Sequence, residues 1–155
     1  MEKLNSLVSR IRWKSVIAVI LLVAVAYTLI QYFPGGYQTS GNIGLKVSAK
    51  PDSMTPGGST TLEVEVKNMN SKEEVTVTIR GRTFEKEIMF ADTQTQNYAS
   101  DPIQIGPQGV RKLSLSVKSS RAALEGEYPV EVTVSAEGVD KPPEKMVLIK
   151  VERPS

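Results

Sequence analysis

The chain has 155 residues, no cysteine and no histidine, and a formal net charge of +2. These absences remove disulfide staples, Cys/His zinc sites, haem held by His or Cys, and every catalytic dyad or triad built on a histidine base. The charge is uneven: residues 1–33 carry four basic groups against one acidic, a net +3, and residues 34–155 carry 15 against 16, a net −1, so no basic cluster supplies the footprint that nucleic-acid binding needs.

Residues 1–14 read as a basic cytoplasmic flank, and residues 15–33 as a transmembrane helix. From Val16 through Leu22 and Ile30 to Phe33 no residue is charged, and a helix of that length spans about 27 Å, close to the hydrocarbon core of a bilayer. Trp13 before the run and Tyr32 with Phe33 at its end stand where an aromatic belt belongs. Lys3, Arg10, Arg12 and Lys14 precede the run and no basic residue follows it until Lys46. The positive-inside rule then places the N-terminus in the cytoplasm and the rest of this single-pass chain outside the cell membrane. Ala24-Val25-Ala26 offers the alternative, a signal cleaved near Ala26 to release a free exported domain. Against it, the apolar run continues through Tyr27-Thr28-Leu29-Ile30, where a cleavage region turns polar, so the segment reads as a retained signal-anchor. Residues 34–42, "PGGYQTSGN", read as a flexible linker with a root-mean-square reach of about 17 Å.

From residue 43 to 155 apolar and polar residues alternate with period two, and turn residues separate the runs. Leu45, Val47 and Ala49 form the first run, stopped by Pro51-Asp52 and Pro56-Gly57-Gly58. Leu62, Val64 and Val66 alternate with Glu63, Glu65 and Lys67. Val75, Val77 and Ile79 alternate with Thr76, Thr78 and Arg80 as far as Gly81. Phe84, Ile88 and Phe90 predict a further strand, with Lys86 on its apolar face as an inward lysine that blocks edge pairing. Ile103 and Ile105 precede Gly106-Pro107, and Leu113, Leu115 and Val117 alternate with Ser114, Ser116 and Lys118. Tyr128, Val130, Val132 and Val134 form the penultimate run, and Val147, Ile149 and Val151 the last. One-sided apolar strands of this kind stack as two sheets, so the expectation is an all-β antiparallel sandwich of seven or eight strands.

Three stretches, "GGSTTLEVEVKNMNS", "IQIGPQG" and "LEGEYPVEVTV", carry a family resemblance. The sequence over roughly residues 43–152 resembles the immunoglobulin-like modules of archaeal and bacterial cell-surface proteins, the adhesion-related or S-layer-associated kind. The strongest element is Gly126-x-Tyr128, the entry into the penultimate strand. The resemblance implies a tyrosine corner, with the Tyr128 hydroxyl bonded to backbone upstream, and a spacer or binding platform without catalytic residues. In plan, one N-terminal span before one sandwich, the chain is also similar to the archaellum stator subunits of archaea.

Catalytic constellations are sparse. Glu63/Glu65 and Glu85/Glu87 are carboxylate pairs at i, i+2, which is the outward face of a strand. No calcium-loop motif occurs, and no cofactor, metal or small-molecule substrate is expected. Arg80-Gly81-Arg82 reads as a compact basic turn for a sulfate, phosphate or acidic sugar. The main interaction candidate is residues 91–100, "ADTQTQNYAS", where Tyr98 stands among Asp92, Gln94, Gln96 and Asn97, an aromatic among adaptable polar groups. The alternative for this loop is an ordinary crossover between sheets. The partners expected are the lipid bilayer and other proteins of the membrane or cell envelope, contacted by a non-catalytic accessory subunit.

Overall fold

The computed structural model describes residues 36–153. The flank, the apolar segment and their residues Lys3, Arg10, Arg12, Trp13, Lys14, Val16, Leu22, Ile30, Tyr32 and Phe33 lie outside the described residues. Among the described residues no helix is long and apolar enough to cross a membrane.

Eleven strands form among these residues: β1 (Gln38–Ser40), β2 (Ile43–Lys50), β3 (Ser53–Met54), β4 (Ser59–Asn68), β5 (Val75–Thr83), β6 (Ile88–Phe90), β7 (Asn97–Ala99), β8 (Ile103–Ile105), β9 (Val110–Ser119), β10 (Gly126–Ala136) and β11 (Glu144–Val151). The first sheet has the order β1-β2-β4-β9-β6, and the second β3-β11-β10-β5-β7, with β8 also paired to β5. All the pairs are antiparallel except β3 with β11. The alternation predicted from sequence is what closes the core. Leu45, Leu62, Val64, Leu115 and Val117 of the first sheet face Val77, Ile79, Val132, Val134 and Ile149 of the second, all of them buried. Each such side chain contributes about 1.5–3 kcal/mol by leaving water.

The extra strands are short. The run 34–42, expected as a linker, contains β1, which pairs Gln38, Thr39 and Ser40 with Leu45, Gly44 and Ile43. Gly41-Asn42 makes the two-residue hairpin between them, and Gly41 takes the positive φ of 55° that the first position of such a turn demands. The Tyr37 ring then covers Gly44, where an added Cβ would stand 3.2 Å from Tyr37 Cδ1, and the Tyr37 hydroxyl donates to the Glu65 carboxylate. At the other end of β2, Pro51 has no N–H for a ladder, and the chain changes sheets: β3 lies beside β11, with Lys150 N–H bonded to Asp52 O at 3.0 Å.

Two strand boundaries differ from expectation. β5 runs through Gly81 to Thr83, because this glycine serves a close approach between sheets and makes no turn there. A Cβ at residue 81 would stand 2.4 Å from Cζ of Phe90, so the missing side chain is the space the Phe90 ring fills. Conversely, residues 84–87 form a turn, not the start of a strand. Ile88 N–H bonds Glu85 O at 3.1 Å and the Thr83 hydroxyl bonds Ile88 O at 2.7 Å. That turn carries Lys86 into solvent, its side chain 88% exposed, so it is not an inward edge lysine.

Buried polar groups tie the loops down. Asn68, fully buried at the end of β4, brings its amide nitrogen to Glu73 O at 2.8 Å, Ile105 O at 3.0 Å and Gly106 O at 3.1 Å. At the opposite end the Tyr128 hydroxyl donates to Leu124 O at 2.9 Å, fastening the loop that leads into β10 at Gly126. Tyr128→Phe is expected to lower unfolding free energy by about 1 kcal/mol, the net value of one such bond. Urea unfolding checks this, and the midpoint should fall at unchanged slope.

Candidate interaction surface

The loop singled out in sequence is a crossover. After β6 the chain leaves the edge of the first sheet and returns as β7 on the second, where Asn97, Tyr98 and Ala99 pair with Arg82, Gly81 and Arg80. Its two inner threonines spend their hydroxyls on the loop itself. Thr93 and Thr95 hydroxyls both donate to Asn97 O, at 3.0 and 2.6 Å, and Gln94 N–H bonds Phe90 O at 2.8 Å with Gln94 at φ 53°. Asp92, Gln94 and Asn97 are exposed and Gln96 is half-buried. Tyr98 turns inward: half-buried and opposite Gly81, it meets Phe90 with ring centroids 5.8 Å apart. Burial, and then the charges of Asp92 and Asp101, push its hydroxyl pKa up. Tyr98 is thus spent on filling the space beside a glycine, the device by which an aromatic supports a bare strand position.

What the crossover does is complete a groove on the outer face of the second sheet. About 550 Å³ lies over Arg80 and Arg82 of β5, Asn97 of β7, and Glu131, Thr133 and Ser135 of β10. Register explains the grouping. Arg80 stands between Thr133 and Ala99, and Arg82 between Glu131 and Asn97. The two arginines are two residues apart on one strand, so both point outward, with the Arg82 guanidinium carbon 5.1 Å from the Phe84 ring centroid. The ion pairs among the described residues are Lys50–Glu63, Lys86–Glu87 and Lys112–Glu65; neither groove arginine takes part in one. On the β11 side the face turns apolar. Met146 and Leu148 are 47% and 52% exposed and lie opposite Glu131 and Pro129. Arg80-Gly81-Arg82 is therefore a strand segment on a sheet face, where sequence suggested a turn. Of the predicted loop residues the structure brings Asn97 and Tyr98 to this groove, while Asp92, Gln94 and Gln96 stand apart from it.

The outer face of the first sheet differs in kind. Glu63 and Glu65 line one hollow with Lys46, Lys50 and Lys112, but each carboxylate is held by a different lysine. Lys50 reaches Glu63 at 2.8 Å and Lys112 reaches Glu65 at 3.2 Å, and the hydrogen bond and charge of Lys50 hold the Glu63 carboxyl below its ordinary pKa. Among the described residues no three His, Cys, Asp or Glu side chains come together as a metal-holding group.

No family model matches the sequence, and no curated protein matches it. Solved structures share the fold. Native E. coli alpha-2-macroglobulin matches with TM-score 0.58 and 13% identity, over 74% of this chain and 7% of that one. A family 123 glycoside hydrolase from Clostridium perfringens matches with TM-score 0.55 and 13% identity, over 74% of this chain and 28% of the enzyme. The CARDB domain of the PF1109 protein from Pyrococcus furiosus, solved in complex with di-metal ions, matches with TM-score 0.54 and 18% identity, over 75% of this chain and 92% of the domain. The chain spans less than a third of the first two proteins and nearly all of the third. At these identities the likeness concerns the fold, an immunoglobulin-like β-sandwich.

Proposed function

We propose that the protein is a non-catalytic accessory subunit of a membrane or cell-envelope complex. A single N-terminal span with its basic flank in the cytoplasm holds the immunoglobulin-like domain outside the cell membrane, and the outer face of the second sheet receives a protein partner. One observation carries the reading: Arg80 and Arg82, outside every ion pair among the described residues, border a groove beside exposed Met146 and Leu148. Arginine, methionine and aromatic side chains are enriched where proteins meet, and a solvated sheet face is ordinarily charged or hydroxylated. The fitting partner element presents carboxylates to the arginines and an apolar side chain to the ridge of β11.

The test is purification of the full-length chain in gentle detergent with co-purifying proteins identified. Partner recovery is expected to fall about tenfold or more for Leu148→Asp combined with Arg80→Glu, a loss typical of interface centres, with thermal unfolding of the variant unchanged. A wild-type chain that purifies alone overturns the subunit reading. The tripeptide Ala24-Val25-Ala26 supports a second reading, an exported free domain; mass spectrometry of the mature protein would then find a chain beginning at Tyr27.

A further inference from the structure

We propose that the outer face of the first sheet rests on anionic lipid headgroups. The inference builds on the anchor described above and adds which side of the domain meets the bilayer. The domain's charge is nearly balanced in sum but polarised between its faces. Alternation along β2, β4 and β9 points Lys46, Lys50, Lys67, Lys112 and Lys118 outward on the first sheet, against Glu63 and Glu65, a net of +3. The outer face of the second sheet carries Arg80, Arg82 and Lys150 against Glu127, Glu131 and Glu144, a net of zero. Two of the five lysines are engaged by the two glutamates, which leaves Lys46, Lys67 and Lys118 outside the ion pairs among the described residues. Lysine suits the role, as a hydrated point charge on a long stem that needs no fixed geometry to meet lipid phosphates.

An independent observation comes from where the chain enters the domain. The Tyr37 ring lies on this same face, across Gly44, with its hydroxyl on Glu65, in the row that also holds Lys46 and Lys112. Between Phe33, the last residue of the apolar segment, and Tyr37 there are only Pro34, Gly35 and Gly36. Fully extended, that connection covers about 14 Å, an upper limit that lets the face approach within the Debye length of about 8 Å at physiological salt. A lysine-rich face brought within that distance of anionic headgroups is attracted to them, while the balanced second face has no comparable attraction.

The experiment reconstitutes the full-length chain into vesicles of phosphatidylcholine alone and of equal parts phosphatidylcholine and phosphatidylglycerol. Acetylation of each lysine is then followed by mass spectrometry. Lys46, Lys67 and Lys118 should react several-fold more slowly in the anionic vesicles, Lys86 and Lys150 equally in both, and molar salt should erase the difference. Lys46→Glu with Lys118→Glu should return Lys67 to its neutral-vesicle rate without changing thermal unfolding. Flotation with both vesicles but equal labelling overturns the face and leaves the anchor standing. Flotation with anionic vesicles only, with those lysines protected, supports the face and removes the anchor. Flotation with neither overturns both.

Discussion

Gly81→Val should cost about 3 kcal/mol or more of folding free energy, at the upper end of what overpacking does. In a domain of ordinary stability, about 5–15 kcal/mol, that is a large share. The reason lies in the contact between the sheets. The position is buried, a Cβ there would come within 2.4 Å of Phe90 Cζ and within 3.1 Å of both Cε atoms, and Phe90 is itself 1% exposed with Tyr98 packed against it. The ring has nowhere to retreat, so β5 and β6 must move apart. Chemical denaturation of the variant measures the loss. A cycle with Gly81→Ala and Phe90→Leu separates the cause: the shorter leucine makes room for the new methyl, so the double variant should be more stable than the two single losses predict. Strict additivity would show that the ring contact is not what holds residue 81 to glycine.

Asn68→Leu is expected to cost about 2–4 kcal/mol, with little of it coming from lost packing. Leucine fits the volume and suits a strand, but it withdraws the amide from three carbonyls, those of Glu73, Ile105 and Gly106, and withdraws the acceptor that Asn70 N–H uses at 2.9 Å. Two loops meet at this side chain. They are joined again by Gln108 N–H to Asn70 O at 2.9 Å and by the Gln108 amide to Met69 O at 2.7 Å. Hydrogen exchange should therefore show amides of residues 69–74 and 106–109 opening first, while those of β5 keep their protection. Asn68→Asp should be worse than leucine, since it points a carboxylate at three carbonyl oxygens. Uniform loss of protection across both sheets would mean that the side chain supports the core as a whole and not these two loops.

How far the fold is legible in sequence depends on the length of each strand. β4, β9 and β10 each hold several alternations, with glutamate, lysine or hydroxyls outside and valine or leucine inside, and period two identifies them directly. β1, β3 and β7 have two or three residues, too few for any period, and only their neighbours in space make them strands. Gly81 shows a second limit. A glycine after alternating residues fits a turn and fits equally a close approach of another side chain; Phe90, which decides between them, lies on the other sheet. The groove follows the same logic. Continuing the alternation of β5 past Gly81 puts Arg80 and Arg82 on one outward face, so half of the site was within reach of sequence. Glu131, Thr133 and Asn97 join it only through the pairing of β10 and β7 with β5, which alternation within one strand does not reveal. Lys86 is displaced for a local reason, because the bond from Ile88 N–H to Glu85 O closes a turn where hydrophobicity alone suggests extended chain.

The small β1 hairpin has a mechanical meaning. Its side chains are exposed or only half-buried, and it is held by pairing with β2, by the Tyr37 hydroxyl on Glu65, and by the Ser40 hydroxyl on Lys141 O. Peeling it away removes no residue of the buried core, yet it frees residues 37–42, about 20 Å of contour length. A pull entering through the N-terminal chain therefore meets β1 before it meets the sandwich. The domain carries a reserve of chain length at its N-terminal end, released by peeling β1 while the buried core stays in place.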